Sequence, residues 1–219
     1  SKRFLGNALS KAIIFDFDGT LVDSEKAIYE CFQSITKRIA PERERYAKNI
    51  LIGPPLRDTV SEILGPENQG LLDEFVQSFI TMHDEQVILH TQPYPDVIQV
   101  LKKLHNKNIP MAVATNKRLA PTKKLINHFS WNEYFSSIEC CDSQSQMRNK
   151  DEMIQDIINR NSSFKGSLFV GDTINDGVSA NLNQLPFIKA CYGYGRDQDW
   201  SKVTVFYEIH QFIEIFELI

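Results

Sequence analysis

The 219-residue chain contains no uninterrupted run of roughly 18 apolar residues, the length a membrane-spanning helix needs. Cysteine is scarce, and Cys31, Cys140, Cys141 and Cys191 form neither a CxxC pair nor a spaced framework. Reduced, mostly buried thiols are therefore expected in place of a disulfide scaffold. Basic charge is not in excess either: 24 Lys and Arg against 28 Asp and Glu leave a net charge of −4. Non-specific nucleic-acid binding needs a basic stripe, so this balance argues against it. A small anionic substrate stays open, because a bound cation and one or two lysines reverse the field locally. His83 and His90, seven apart, are expected on one helix face, but they lack the third ligand of a zinc site. No internal repeat and no low-complexity tract is present. Ser1 to Lys11 lacks the apolar core of a secretory signal, so a cytoplasmic setting is expected, with neither membrane nor nucleic acid as partner.

What is present suits a globular fold: 42% apolar and 24% charged residues. The apolar run Ala12-Ile13-Ile14-Phe15 stops abruptly at Asp16, so Lys11 to Phe17 reads as a buried strand of a parallel sheet covered on both faces. Gly19 breaks it. The region that follows has another character. Ile28, Cys31, Phe32, Ile35 and Ile39 recur at helical spacing, as do Leu72, Phe75, Val76, Phe79 and Ile80. Between them lie a charged, proline-bearing loop, Pro41 to Pro55, and a short helix near Leu56 to Leu64. From Pro95 onward helices and strands alternate. Strands are expected at Pro110 to Thr115, Ser136 to Cys141, Ser167 to Val170 and Phe187 to Cys191. Helices are expected through Val97 to Leu104, Thr122 to Phe129, Met153 to Ile158 and Ile174 to Leu182, with a last amphipathic one through Ile209, Phe212, Ile213 and Phe216. The pattern predicts an α/β fold, a doubly wound parallel sheet built from residues 1–22 and 93–219, with an all-helical domain of residues 23–92 inserted.

Ligands of open parallel sheets bind beyond the carboxyl ends of the strands, and polar residues gather there. The first strand ends in Asp16-Phe17-Asp18-Gly19-Thr20, the second in Thr115-Asn116-Lys117, and the fourth in Gly171-Asp172, with Asp176 one turn on. Asp16 and Asp18, two apart on an extended strand end, can project to one side. Carboxylates so held repel unless a proton or cation lies between them, and hard magnesium suits an oxygen-only set. The alternative for this pair is an Asx-turn with a helix cap beside Gly19, and Thr173 to Asp176 also matches a capping box. Thr115 and Asn116 alone could simply end a strand and cap a helix. Lys150 is less easily dismissed: with Asn149 as N-cap it sits in a first helical turn, against the helix dipole, where holding an anion would explain it.

Together these segments resemble the motifs of the haloacid dehalogenase (HAD) superfamily of phosphohydrolases. Asp16 to Ser24 is similar to the first motif nearly letter for letter, Ala114 to Lys117 to the second, Lys150 to the third, and Val170 to Asp176 to the fourth. Pro93-Tyr94-Pro95-Asp96 resembles the hinge returning from a helical cap. The likeness covers essentially the whole chain. Ile52-Gly53-Pro54-Pro55-Leu56 and Gly193-Tyr194-Gly195 look most like the phosphoglycolate phosphatase group, whose members act on phosphoglycolate, nucleotides, pyrophosphate and sugar phosphates. Two departures stand out: Asp151 follows Lys150 where the family usually has proline, and Asn183-Gln184 replaces a common Ala-Gly pair.

The resemblance implies a magnesium-dependent phosphatase acting on a small-molecule phosphate monoester through an aspartyl-phosphate. It makes Asp16 the nucleophile and Asp18 the general acid and base. Thr115, Asn116 and Lys150 become phosphate ligands. The metal set is Asp16, Asp172 and the backbone carbonyl of Asp18, supported by Asp176. Arg57, beside the Gly-Pro-Pro loop, is a candidate reader of a second anionic group, its alternative being a solvated arginine at a helix start. A dehalogenase would have no use for Asp18. A phosphomutase of the same fold, or a non-catalytic binding protein on this scaffold, are the rivals. The sequence does not choose between monomer and homodimer.

Overall fold

The computed structural model describes residues 12–219; Lys11, expected to open the first strand, lies outside them. The elements in chain order are β1 (Ile13–Phe15), β2 (Val22–Asp23), α1 (Glu25–Ile39), α2 (Glu44–Ala47), α3 (Leu56–Leu64), α4 (Leu72–Gln86), β3 (Gln92–Pro93), α5 (Val97–Asn106), β4 (Met111–Thr115) and α6 (Leu119–His128). They continue as β5 (Ser137–Cys140), α7 (Lys150–Arg160), β6 (Leu168–Gly171), α8 (Ile174–Leu182), β7 (Phe187–Ala190) and β8 (Tyr207–Ile209). Six strands form one parallel sheet in the order β5-β4-β1-β6-β7-β8. This is the doubly wound α/β sheet expected from the sequence.

The continuous apolar runs have their cause in burial on both faces. Ile13 and Phe15 join Met111, Val113, Leu168 and Val170 in one core, beneath α5 and Trp131. Ile14, between them, faces the opposite way with Ala112, Ala114 and Phe169, under Met153, Ile154 and Ile157 of α7. That alternation is the two-residue period of a strand. Trp131 is buried edge-on to Phe17, at 6.5 Å between ring centroids, and so backs the loop that follows β1.

The chain leaves this sheet through β2 and returns through β3, which pair antiparallel, Val22 opposite Pro93 and Asp23 opposite Gln92. The regular elements between them are all helical. Residues such as Phe32, Ile35, Val60, Ile63, Phe75 and Phe79 form a third core of their own, and Tyr194 packs against it from the sheet side. Among the described residues no helix is long and apolar enough to cross a membrane.

Three local expectations are corrected. The last amphipathic helix is instead a sixth strand, β8, followed by a 3₁₀ helix over Phe212–Glu217. Apolar residues three and four apart fit either helix type, and pairing of Ile188 with Tyr207 and Ala190 with Ile209 recruits the edge strand. The segment from Pro41 is not wholly loop, since a 3₁₀ turn over Pro41–Arg43 leads into α2. His90 lies beyond the end of α4, so it does not share a helix face with His83, which is buried inside that helix.

Candidate active site

β1 is the switch point of the sheet: β4 and β5 lie on one side of it, and β6, β7 and β8 on the other. The carboxyl ends of β1, β4 and β6 are therefore neighbours. Asp16 follows β1 directly, its backbone N–H donating to the Val170 carbonyl of β6 at 2.9 Å. Asp172 follows β6, Thr115 ends β4, and Lys150 begins α7.

The structure brings Asp16, Asp172 and Asp176 together, all buried, with carboxylate oxygens within 4.8 Å of one another. Lys150 Nζ donates to Asp16 Oδ1 at 2.7 Å and to Asp176 Oδ1 at 2.5 Å. This accounts for a lysine in the first turn of α7, whose Asn149–Glu152 capping box is complete. Asp176 both caps and supports. Its Oδ2 accepts from the Asp172 and Thr173 backbone N–H groups at 3.1 and 2.8 Å and from Thr173 Oγ1 at 2.7 Å. Asp172 accepts from Thr20 Oγ1 at 3.1 Å and from the Tyr194 N–H at 2.7 Å. Two glycines make room for it: a β-carbon on Gly19, at φ 83°, or on Gly193 would overlap the Asp172 side chain.

Burial, and then the charge of Asp176, push the Asp16 carboxyl up to about 7 despite Lys150. Burial together with Asp176 and Asp16 raises Asp172 well above the carboxylate range. Burial opposes the Lys150 charge, but Asp16 and Asp176 more than offset it, and the ammonium is held above its ordinary range. Buried beside the Asp176 charge, Asp16 and Asp172 resist ionisation by themselves. A hard divalent cation such as magnesium fits this all-oxygen donor set and would relieve the repulsion.

The Asp18 carboxylate stands apart from that trio, although it lines a cavity with Asp16. Its Oδ1 accepts from Ser24 Oγ at 2.6 Å and from Lys117 Nζ at 3.2 Å. Ser24 in turn gives its backbone N–H to Tyr194 Oη at 2.8 Å. Thr115 Oγ1 accepts from the Lys117 N–H at 3.1 Å, and Asn116 Nδ2 donates to the Gly53 carbonyl at 2.8 Å. Asp16, Asp18, Thr115, Asn116 and Lys150 thus share one cavity of about 90 Å³.

Arg57 is not brought there. Its guanidinium pairs with Asp73 at 2.8 Å, it is 53% exposed, and it does not line the cavity. The solvated helix-start arginine is the reading its position supports. Lys117, Ser24 and Tyr194 fall within the motif segments but carry no local sign of a role, because their contacts to Asp18 and to one another span up to 170 residues. His83, which also lines the cavity, carried no signal beyond its helical spacing. A second grouping, Cys191, Glu208 and His210, lies at the sheet edge, with Glu208 already paired to Lys189 at 3.0 Å.

A family model described as haloacid dehalogenase-like hydrolase matches residues 13–190. The chain is 27% identical over 193 residues to a phosphoglycolate phosphatase of Rhodobacter capsulatus, covering 85% of this chain and 86% of that protein. It is 23% identical over 189 residues to a 5'-nucleotidase of Pseudomonas aeruginosa, covering 85% of each. Its fold matches the solved structure of a haloacid dehalogenase-like family hydrolase from Streptococcus pneumoniae with a TM-score of 0.79 at 23% identity, over 94% of this chain and 96% of that one.

Proposed function

We propose, on the premise that this chain belongs to the haloacid dehalogenase-like hydrolase family, that it is a magnesium-dependent phosphatase of small-molecule phosphate monoesters working through an aspartyl-phosphate. The carrying observation is the convergence of Asp16, Asp172, Asp176 and Lys150 in one buried cluster, from which Asp16 and Lys150 line a cavity together with Asp18. The relatives named phosphoglycolate phosphatase and 5'-nucleotidase support phosphate-ester hydrolysis without naming the substrate of this chain.

An Asp16 carboxylate oxygen forms a bond to phosphorus as the bond from phosphorus to the ester oxygen breaks. Asp18 gives its proton to that departing oxygen. Water then attacks the aspartyl-phosphate, Asp18 takes its proton, and the Asp16–phosphorus bond breaks to release phosphate. Lys117 and Ser24 hold Asp18 in place between the two steps. Lys150, with Thr115 and Asn116, binds phosphoryl oxygens. Asp16 and Asp172, with the Asp18 carbonyl, would hold the magnesium, and Asp176 fixes the backbone that carries Asp172. When bound, the metal supplies charge neutralisation for the phosphoryl group.

Residues 23–92 form a cap in this reading. The Gly53 loop reaches the site through the Asn116 contact, and a β-carbon on Gly53, at φ 128°, would come within 2.9 Å of Thr173. Such closure excludes bulk water from the phosphoenzyme. The test is phosphate release from p-nitrophenyl phosphate, with and without magnesium, by wild type and Asp16→Asn. Equal rates in the two proteins would refute the mechanism.

A further inference from the structure

The outer edge of the sheet carries a group of side chains that take no part in the phosphatase chemistry. β7 and β8 run parallel there, with Lys189 opposite Glu208 and Ala190 opposite Ile209. The ladder continues one step further, where the Cys191 N–H donates to the Ile209 carbonyl at 2.9 Å. Cys191 and His210 therefore leave the two strands side by side. Side chains along a strand alternate between its faces. Ile188, Ala190 and Ile209 take the face of the larger core. Lys189 and Cys191 on one strand, and Glu208 and His210 on the other, accordingly share the opposite face.

The register thus gathers one sulfur, one nitrogen and one oxygen, from Cys191, His210 and Glu208, all within 4.8 Å of one another. Cys191 is half-buried, and the other two are exposed. Among the described residues these atoms are largely uncommitted. The Cys191 thiol makes only a long contact, 3.9 Å, to the Lys189 carbonyl. His210 is held through its backbone, whose N–H donates to Glu214 Oε2 at 3.1 Å, and this leaves its imidazole available. Lys189 Nζ meets Glu208 Oε1 at 3.0 Å and also lies 4.7 Å over the Trp200 ring, so Glu208 Oε2 remains available.

We infer that Cys191, Glu208 and His210 bind one zinc ion, at a second metal site separate from the Asp16 cluster. Thiolate, imidazole and carboxylate make a borderline-soft set that suits zinc and disfavours magnesium, whereas the Asp16 cluster offers carboxylate oxygen alone. With zinc–ligand distances of about 2.0–2.3 Å, ligand atoms of a tetrahedral site stand roughly 3.5 Å apart. Rotation of the exposed Glu208 and His210 side chains covers that difference, and water takes the fourth position. The zinc–sulfur bond forms as the thiol, pushed up by burial and by Glu208, gives its proton to solvent. The ion ties the three-residue edge strand β8 to the end of β7. It does so at the root of the loop that brings Gly193 and the Tyr194 N–H to Asp172. Its role is structural, because an ion that binds only the folded pair of strands stabilises them by mass action.

The experiment adds cobalt(II), a spectroscopic stand-in for zinc, to the full chain in excess magnesium, so that an all-oxygen site does not compete. Wild type is expected to take up one equivalent with a thiolate-to-cobalt charge-transfer band in the near ultraviolet, and zinc should displace it. Cys191→Ser should abolish the band. Loss of a partner outside the ligand set costs about 10–100-fold in metal affinity. His210→Ala, which removes a ligand itself, should therefore weaken zinc at least about tenfold, read by competition with a chromogenic chelator. Zinc should also raise the Tm of wild type and leave that of Cys191→Ser where it was. No band in wild type, a band that survives Cys191→Ser, or an unchanged zinc affinity in His210→Ala overturns the inference. Should Cys191→Ser fail to fold, alkylation of wild type decides. Zinc should slow iodoacetamide labelling of Cys191 severalfold, mapped by mass spectrometry, and equal labelling with and without zinc overturns the site. None of these readouts involves phosphate release, so this site and the phosphatase reading stand or fall separately.

Discussion

Replacing Lys150 with methionine removes the one cation that bridges Asp16 and Asp176 while keeping much of the side-chain volume. Each contact, at 2.7 and 2.5 Å, represents roughly 6 kcal/mol of attraction at an effective dielectric of 20, before desolvation of the charges is deducted. The net cost of leaving buried carboxylates unpaired is about 3–5 kcal/mol. At this chain length that corresponds to a fall in Tm of about 10 °C. The assay is thermal unfolding in EDTA at pH 8. A pH series adds a sign that a simple packing defect would not produce. Burial raises the folded-state Asp16 carboxyl to about 7 from 3.8, so its contribution to stability is complete below the unfolded value and is lost as pH climbs through about 7. The metal-free wild type should therefore lose up to about 4 kcal/mol between pH 4 and pH 8 from this group. Without Lys150 the loss should be steeper, and lowering the pH to 6 should recover part of the difference. Magnesium should raise Tm in both proteins. A Lys150→Met protein with the wild-type Tm in EDTA at pH 8, and the same pH dependence, would refute the idea that these carboxylates need a cation.

Gly193→Ala should cost about 1–3 kcal/mol, because its β-carbon would overlap Asp172 and the Gly19 carbonyl; unfolding reads the cost, and the magnesium concentration for half-maximal activity should rise with it. Asn116→Ala removes the donor to the Gly53 carbonyl, so limited proteolysis between residues 49 and 56 should quicken severalfold and KM should rise. Tyr194→Phe leaves the ring against the helical core but takes away the acceptor for the Ser24 N–H. It should cost about 1–3 kcal/mol in unfolding experiments, the penalty of an unmatched buried donor, and loosen the Asp18 that Ser24 holds.

Much of the sheet was legible because its signals are local. Apolar runs that stop at Asp16, Thr115 and Asp172 mark strands and their carboxyl ends, and Asn149 and Thr173 mark helix starts through capping geometry that spans only three residues. The misreading at the C-terminus has the opposite origin. Tyr207–Ile209 is a three-residue edge strand whose existence depends on β7 lying beside it, and no neighbour along the chain announces that. A seven-residue spacing alone puts His90 on the helix of His83, yet α4 ends at Gln86.

By itself the sequence determined which chemical groups stand at which strand ends, since periodicity, capping and turn residues act over a few positions. It thereby assigned the α/β architecture and nominated Asp16, Asp18, Lys150, Asp172 and Asp176. Only the tertiary structure decided how those charges are shared out. Lys150 meets Asp16 across 134 residues, Lys117 goes to Asp18 across 99, and Arg57 turns to Asp73 within its own helical segment. Charge pairing and desolvation depend on distances in space, and a linear pattern of residues does not carry those distances.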